Sequence, residues 1–271
     1  MPSPRLPVLF ISHGGGPWPF VDGLRQMYAH TEQELRRLTE RLAARPKAVL
    51  VISGHWEAPK FSLATNPHPP MAYDYSGFPA HTYQIRYPAS GSPELAHQAR
   101  DLLVSAGIES LLDDVQGFDH GVFVPLGLMF PNADVPIVMA SIKSNYDPAQ
   151  HLAMGQALTS LRDEGVLIVG SGLTYHNMRG FGRDESNAIA KEFTRYLDQA
   201  VAHPDPKMRW DMLQHWERAP SARLAHPRED HLMPLLIAAG AAATDKGWVL
   251  FSETVMKVPM TSYVFGALDG D

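Results

Sequence analysis

Three short apolar runs constrain this chain more than any other feature. Val8-Leu9-Phe10-Ile11-Ser12 runs into His13-Gly14-Gly15-Gly16. Val49-Leu50-Val51-Ile52-Ser53 runs into Gly54-His55-Trp56, and Val166-Leu167-Ile168-Val169-Gly170-Ser171-Gly172 leads to Tyr175-His176-Asn177. Runs of β-branched and apolar residues read as buried strands. In an open α/β sheet, ligands bind beyond the carboxyl ends of the strands. Each run therefore delivers a histidine to the place where chemistry usually sits. The fold class expected is α/β, and a length of 271 residues fits one large domain or two small ones.

Between these runs the periodicity predicts helices over 26–44, 93–106, 148–162, 186–202 and 232–243. Further strands are expected over 135–141 and 248–253. Residues 59–92 read as a long loop rich in Pro, Tyr and His, with one strand over 82–87; loops this long in compact domains tend to be functional. Residues 203–228 have no assignable pattern. No repeat and no domain linker is visible.

Composition removes several function classes. The net charge is −6 and no basic cluster occurs, so no nucleic-acid partner is expected. No apolar run approaches the roughly 20 residues that cross a bilayer. Met1-Pro2-Ser3-Pro4-Arg5 enters the first strand without an apolar signal core, so a cytoplasmic location is the expected default. The absence of cysteine excludes disulfides, thiolate nucleophiles and cysteine-ligated zinc. The Gly14–Gly16 loop is no phosphate-binding P-loop, because no Gly-Lys-Ser/Thr follows it, and it reads equally well as a tight turn.

The chain has 13 histidines, and five share a signature. His13, His55, His120, His176 and His231 lie at strand ends, helix starts or glycine-flanked turns. The other eight sit in polar, helical or proline-rich surroundings. A lone histidine is usually a hydrogen-bonded surface residue, and Asp119 beside His120 reads first as a helix cap. Five at the functional ends of one sheet point instead to a metal, since imidazole suits zinc, iron, copper and nickel. No HExxH and no EF-hand loop occurs. Glu57 and Glu229 are candidate carboxylate ligands or partners of the neighbouring histidines. More histidines than a metal needs suggests metal plus acid–base chemistry, which leaves zinc-dependent hydrolysis and redox chemistry at non-haem iron both open. A scaffold of another class, binding a peptide or protein without catalysis, would need no metal.

The segments Ser12-His13-Gly14-Gly15-Gly16-Pro17, Ser53-Gly54-His55-Trp56, Gly117-Phe118-Asp119-His120-Gly121-Val122-Phe123, Gly170-Ser171-Gly172-Leu173-Thr174-Tyr175-His176-Asn177 and His231-Leu232-Met233-Pro234-Leu235 resemble the class III extradiol ring-cleaving dioxygenases. The branch most similar is the 4,5-DOPA dioxygenase group, related to the β subunit of protocatechuate 4,5-dioxygenase. The resemblance implies a single catalytic domain over 1–271 with a mixed central β-sheet flanked by helices and the active site at strand ends. It implies Fe(II) for turnover, with Zn(II) possible in the purified protein, O2 as co-substrate and a small aromatic diol as substrate. It further implies His13, His55 and His231 as metal ligands. His176 would be the acid–base residue and a tentative fourth ligand to zinc, and His120 would hydrogen-bond substrate or oxygen. A more distant branch uses two histidines and a glutamate, and Glu229 stands two residues before His231. Where the family more often has Ser-Pro after the first histidine, this chain has Gly-Gly-Gly-Pro followed by Trp18 and Phe20, which bears on substrate preference. A monomer or small homo-oligomer is expected.

Overall fold

Alternate residues of the central strands face opposite sides of one sheet, and both sides are covered. The computed structural model describes residues 4–269. In chain order its elements are β1 (Val8–Ser12), α1 (Asp22–Met27), α2 (Ala29–Leu38), β2 (Ala48–Ala58), β3 (Phe61–Ala64), α3 (Pro93–Ser105), β4 (Ser110–Asp113), α4 (His120–Met129) and β5 (Ile137–Lys143). There follow α5 (Pro148–Ala157), β6 (Val166–Gly172), α6 (Asp184–Val201), α7 (Pro206–Gln214), α8 (Ala222–Ala225), α9 (Met233–Ala241), β7 (Gly247–Val255) and β8 (Val258–Phe265). Among the described residues the strands form one eight-stranded mixed sheet in the order β4-β3-β5-β2-β6-β1-β8-β7.

The four strands β5, β2, β6 and β1 are mutually parallel. Val8, Phe10, Leu50, Ile52, Val138 and Ile168 pack on one side with the buried faces of α3, α5, α6 and α9. Leu9, Ile11, Val49, Val51, Met139 and Val169 pack on the other with α2, α4, Trp18 and Tyr28. A parallel strand covered on both faces is apolar at every position, which is why these runs stood out in the sequence. The carboxyl ends of β1, β2 and β6 lie side by side.

The expected strand over 135–141 corresponds to β5, and the helix over 93–106 to α3, capped by the Ser92 side chain accepting from Leu95 N–H. Other expectations are corrected. The helix over 26–44 breaks at Tyr28, whose ring stacks on Trp18 at 4.7 Å and whose hydroxyl accepts from Gly15 N–H. The strand over 82–87 does not form: Thr82, Ile85 and Tyr87 do turn inward, but Tyr87 reaches the Leu126 and Phe130 carbonyls of α4 and its end, not a sheet. The helix over 148–162 ends at Ala157 and tightens into a 3-10 turn, Thr159–Glu164. Residues 203–228 fold into α7, a 3-10 turn and α8, with Trp216 buried and Trp210 Nε1 donating to Ala239 O. The strand β8 was not anticipated, because the β7–β8 turn uses Met256 and Lys257 at positive φ where Asn-Gly is the usual signal. No helix among the described residues is long and apolar enough to cross a membrane. Met1, Pro2 and Ser3 of the expected N-terminal reading lie outside the described residues.

Candidate metal centre

All five singled-out histidines meet at the carboxyl ends of the central strands. His13 follows β1 directly. Its backbone N–H donates to Gly172 O of β6, and its own carbonyl accepts from Trp18 Nε1. The expectation that β2 stops at Ser53-Gly54 is corrected: the strand continues to Ala58 through a bulge. Ser53 pairs with Ser141, and the next partners are Glu57 and Ile142. His55 rides on that bulge, a device that re-aims a side chain next to a site. His120 is the first residue of α4, and Asp119 caps the helix by accepting from Val122 N–H, as expected. His231 precedes α9, pressed against the end of β6. Leu173 N–H donates to His231 O, and a Cβ on Gly172 would stand 2.1 Å from that same oxygen. Only glycine permits this approach.

Three Nε2 atoms converge. His55 Nε2 lies 3.1 Å from His13 Nε2 and 3.2 Å from His231 Nε2. Ligand atoms here form two adjacent clusters, His13 with His55 and His120, and His231 with His176 and Asp230. His55 Nε2 joins the two, so the trio is His13, His55 and His231. Each Nδ1 faces an oxygen: Ser171 Oγ at 2.9 Å for His13, Asp74 Oδ2 at 3.3 Å for His55 and Asp230 Oδ2 at 2.8 Å for His231.

Burial, and then the neighbouring imidazoles, hold His13 and His55 well below the usual histidine range. Burial takes His231 down to about 4 against the opposing hydrogen bond to Asp230. The trio is therefore neutral at neutral pH, as metal ligands must be. Nitrogens held about 2.0–2.1 Å from one ion stand roughly 3.0–3.4 Å apart, so the observed spacing and the all-imidazole donor set fit a divalent transition metal.

The remaining two histidines flank the trio. His176 stacks on His231, with ring centroids 3.5 Å apart, and its Nδ1 is 3.4 Å from Asp230 Oδ1. His120 lies 4.1 Å from His55 by centroids, and its Nδ1 is 2.9 Å from both oxygens of Asp74. Burial opposes ionisation of both carboxyls, yet their histidine hydrogen bonds outweigh it and hold Asp74 and Asp230 below the usual range. Behind them, burial and then the Asp74 charge push Asp119 well above it.

His13, His120 and His231 are buried, whereas the His55 and His176 side chains keep 20% and 19% exposure, so substrate must enter on their side. A cleft of about 450 Å³ opens there, lined by His176, Asn177, Arg179, Arg228 and Asp230. Within the 59–92 segment, Phe78 covers Gly16, and Tyr75 stands edge-on to His120 at 5.9 Å. The Tyr73 and Tyr75 hydroxyls are spent on Ile85 O and Thr82 O, so they pack the loop. Trp18 is buried beneath the glycine loop, while Phe20 is exposed.

The expected carboxylates are corrected. Glu57 bonds Tyr146 and Arg228, and Glu229 bonds Arg223. The carboxylates of the site are Asp74 and Asp230. Asp230, adjacent to His231, could have been found in the sequence; Asp74 had no local signal.

The description "Catalytic LigB subunit of aromatic ring-opening dioxygenase" matches residues 7–266. A 4,5-DOPA dioxygenase extradiol of Beta vulgaris is 39% identical over 236 residues, covering 86% of this chain and 85% of that protein. Dioxygenase tasH of Hapsidospora irregularis is 36% identical over 282 residues, covering 97% and 86%. A 4,5-DOPA dioxygenase extradiol of Escherichia coli K12 is 35% identical over 245 residues, covering 89% and 87%. Among solved structures, an uncharacterized protein of Escherichia coli K12 superposes with a TM-score of 0.78 at 30% identity, covering 97% of this chain and all of that one. The named relatives are dioxygenases, not hydrolases or binding scaffolds.

Proposed function

The chain belongs to the family of catalytic LigB subunits of aromatic ring-opening dioxygenases, and on that premise we propose that it opens a catechol beside its two hydroxyls with Fe(II) held by His13, His55 and His231. Membership makes it a metal-dependent extradiol ring-cleaving dioxygenase; the metal's identity, the residue roles and the substrate are the proposal. The observation that carries it is the convergence of three neutral imidazoles through Nε2, with a fourth and fifth histidine beside them.

When bound, the ion supplies the Lewis acidity and redox capacity that let O2 react with an electron-rich ring. His176, on the exposed side, takes a proton from a substrate hydroxyl and returns one as the oxygen–oxygen bond breaks. His120, on the buried side, hydrogen-bonds substrate or oxygen as a preorganised partner. Tyr75 stands edge-on to His120 and packs on Phe123, with the Tyr75 and Phe123 centroids 6.4 Å apart, as an aromatic wall beside it. Both oxygen atoms end in the open-chain product, and the ring supplies the electrons. His176 is also the candidate fourth ligand to zinc, since its ligand atom lies within 4.8 Å of those of Asp230 and His231. Relatives from Beta vulgaris and Escherichia coli are named for DOPA, which makes it the first catechol to offer.

The test is oxygen uptake by protein loaded anaerobically with Fe(II), given DOPA and a panel of simpler catechols, with absorbance scanned for a yellow ring-fission product. Uptake with a new visible band on one catechol is expected. No uptake on any of them, with iron bound by metal analysis, overturns the reading. His176→Ala should keep its iron and lose turnover; loss of iron would make His176 a ligand instead of the base.

A further inference from the structure

Two carboxylates each stand between two histidines of different kinds. Asp230 has Oδ2 at 2.8 Å from Nδ1 of His231, in the converging trio, and Oδ1 at 3.4 Å from Nδ1 of His176, outside it. Asp74 has both oxygens at 2.9 Å from Nδ1 of His120, outside the trio, and Oδ2 at 3.3 Å from Nδ1 of His55, within it. Asp74 is fixed in turn, since its Oδ1 also accepts from His120 N–H at the start of α4. The third member of the trio, His13, has a hydroxyl partner. Ser171 Oγ donates to Gly121 O and is left only with a lone pair for His13 Nδ1.

We infer that Asp74 and Asp230 are positioning residues: Asp230 locks a pair of imidazoles, the ligand His231 and the reactive His176, as the Nδ1–H tautomer, and Asp74 locks the reactive His120 in the same way. An ionised carboxylate only accepts, and it can do so on two oxygens at once. Each Nδ1 hydrogen-bonded to it must then carry a proton, and in a neutral imidazole the other nitrogen is left with a lone pair. For His231 that lone pair is the donor a metal needs. For His176 and His120 it makes a ready acceptor for a substrate proton. Neutral His120 thus receives a hydrogen bond from substrate, and it donates one only after it has taken up a proton. One side chain therefore prepares both the ion's site and the base beside it.

This inference rests on the metal reading of the trio but not on catechol as substrate, so its test uses neither substrate nor oxygen. Long-range 1H–15N correlation spectra of the metal-free protein at neutral pH report the tautomer of each ring. His120, His176 and His231 should all be Nδ1–H. Asparagine offers one acceptor and one donor, so it can serve only one ring of a pair. Asp230→Asn should convert His176 or His231 to Nε2–H and leave His120 unchanged, which also shows the variant is folded. Asp74→Asn should leave His176 and His231 unchanged. Zinc affinity by chelator competition should fall about 10–100-fold in Asp230→Asn. The inference is overturned if the wild-type rings are Nε2–H, or if both His176 and His231 stay Nδ1–H in Asp230→Asn. Should either variant fail to fold, the wild-type spectrum alone decides.

Discussion

The Nε2 atoms of His13 and His55 stand 3.1 Å apart, although the residues are separated by 42 positions in the chain. His13 Nδ1 donates to Ser171 Oγ, so its Nε2 presents a lone pair to His55 Nε2, a place that a cation between the two rings can take. Zinc should therefore stabilise the protein, by about 2.7 kcal/mol at a free concentration 100 times its Kd. Thermal melts with zinc and with a chelator check this. His13→Ala should melt alike in both, and a zinc-dependent rise in that variant would count against the trio.

The close approach of β6 to the residue before α9 makes a second prediction. Gly172→Ala puts a methyl group 2.1 Å from His231 O. It should cost about 1–3 kcal/mol by overpacking and weaken zinc binding together. Gly23→Ala, with nothing within 4 Å of its added Cβ, should leave both unchanged or raise stability slightly. Equal zinc affinity in G172A and wild type would show that His231 can shift freely.

His151 supplies a pH dependence away from the metal centre. It is buried, its Nε2 accepts from Lys143 N–H and its Nδ1 donates to Asp147 O. Burial lowers it to about 4, against about 6.5 unfolded. The folded state prefers the neutral ring, so its contribution is complete above about pH 6.5 and is lost as pH falls toward 4. Between pH 7 and pH 5 the loss is roughly 2 kcal/mol. Urea unfolding of wild type against His151→Gln isolates it, because all other titrations are common to both. A difference between the two that does not change with pH would sink the assignment.

Arg162 anchors the opposite end of the molecule. Its buried guanidinium donates to Leu6 O, to Ala241 O and Ala242 O at the end of α9, and to Asp245. Arg162→Met leaves these acceptors without their donor and should cost about 3–5 kcal/mol. A denaturant midpoint close to wild type would show that water replaces the side chain.

The strands that deliver His13, His55 and His176 were legible because burial on both faces writes an unbroken apolar run. His120 and His231 were legible from local punctuation, Asp119 capping one helix and an apolar helix starting directly after His231. Asp74 was not, because its partner His120 is 46 positions away and nothing in a tyrosine-rich loop marks one aspartate. Glu57 and Glu229 were favoured for adjacency alone, but the bulge in β2 and the turn before α9 send them to Arg228 and Arg223. The strands β3 and β4 were missed because four residues each carry too little pattern. The 82–87 expectation failed because residues 80–84 wind into a 3-10 turn, after which Ile85 and Tyr87 alternate inward onto a helix instead of a sheet.

A chain without cysteine has no covalent means of restraining its unfolded ensemble. An ion shared by His13, His55 and His231 would act as a reversible cross-link. It would close a loop of 42 residues between the first two and one of 176 residues between the last two. Because the ion binds the folded chain and is released on unfolding, this closure stabilises through the binding equilibrium and not, as a disulfide does, by restraining the unfolded chain. A ring-opening reagent in solution would then also be the staple that ties both ends of the sequence to the middle of its sheet.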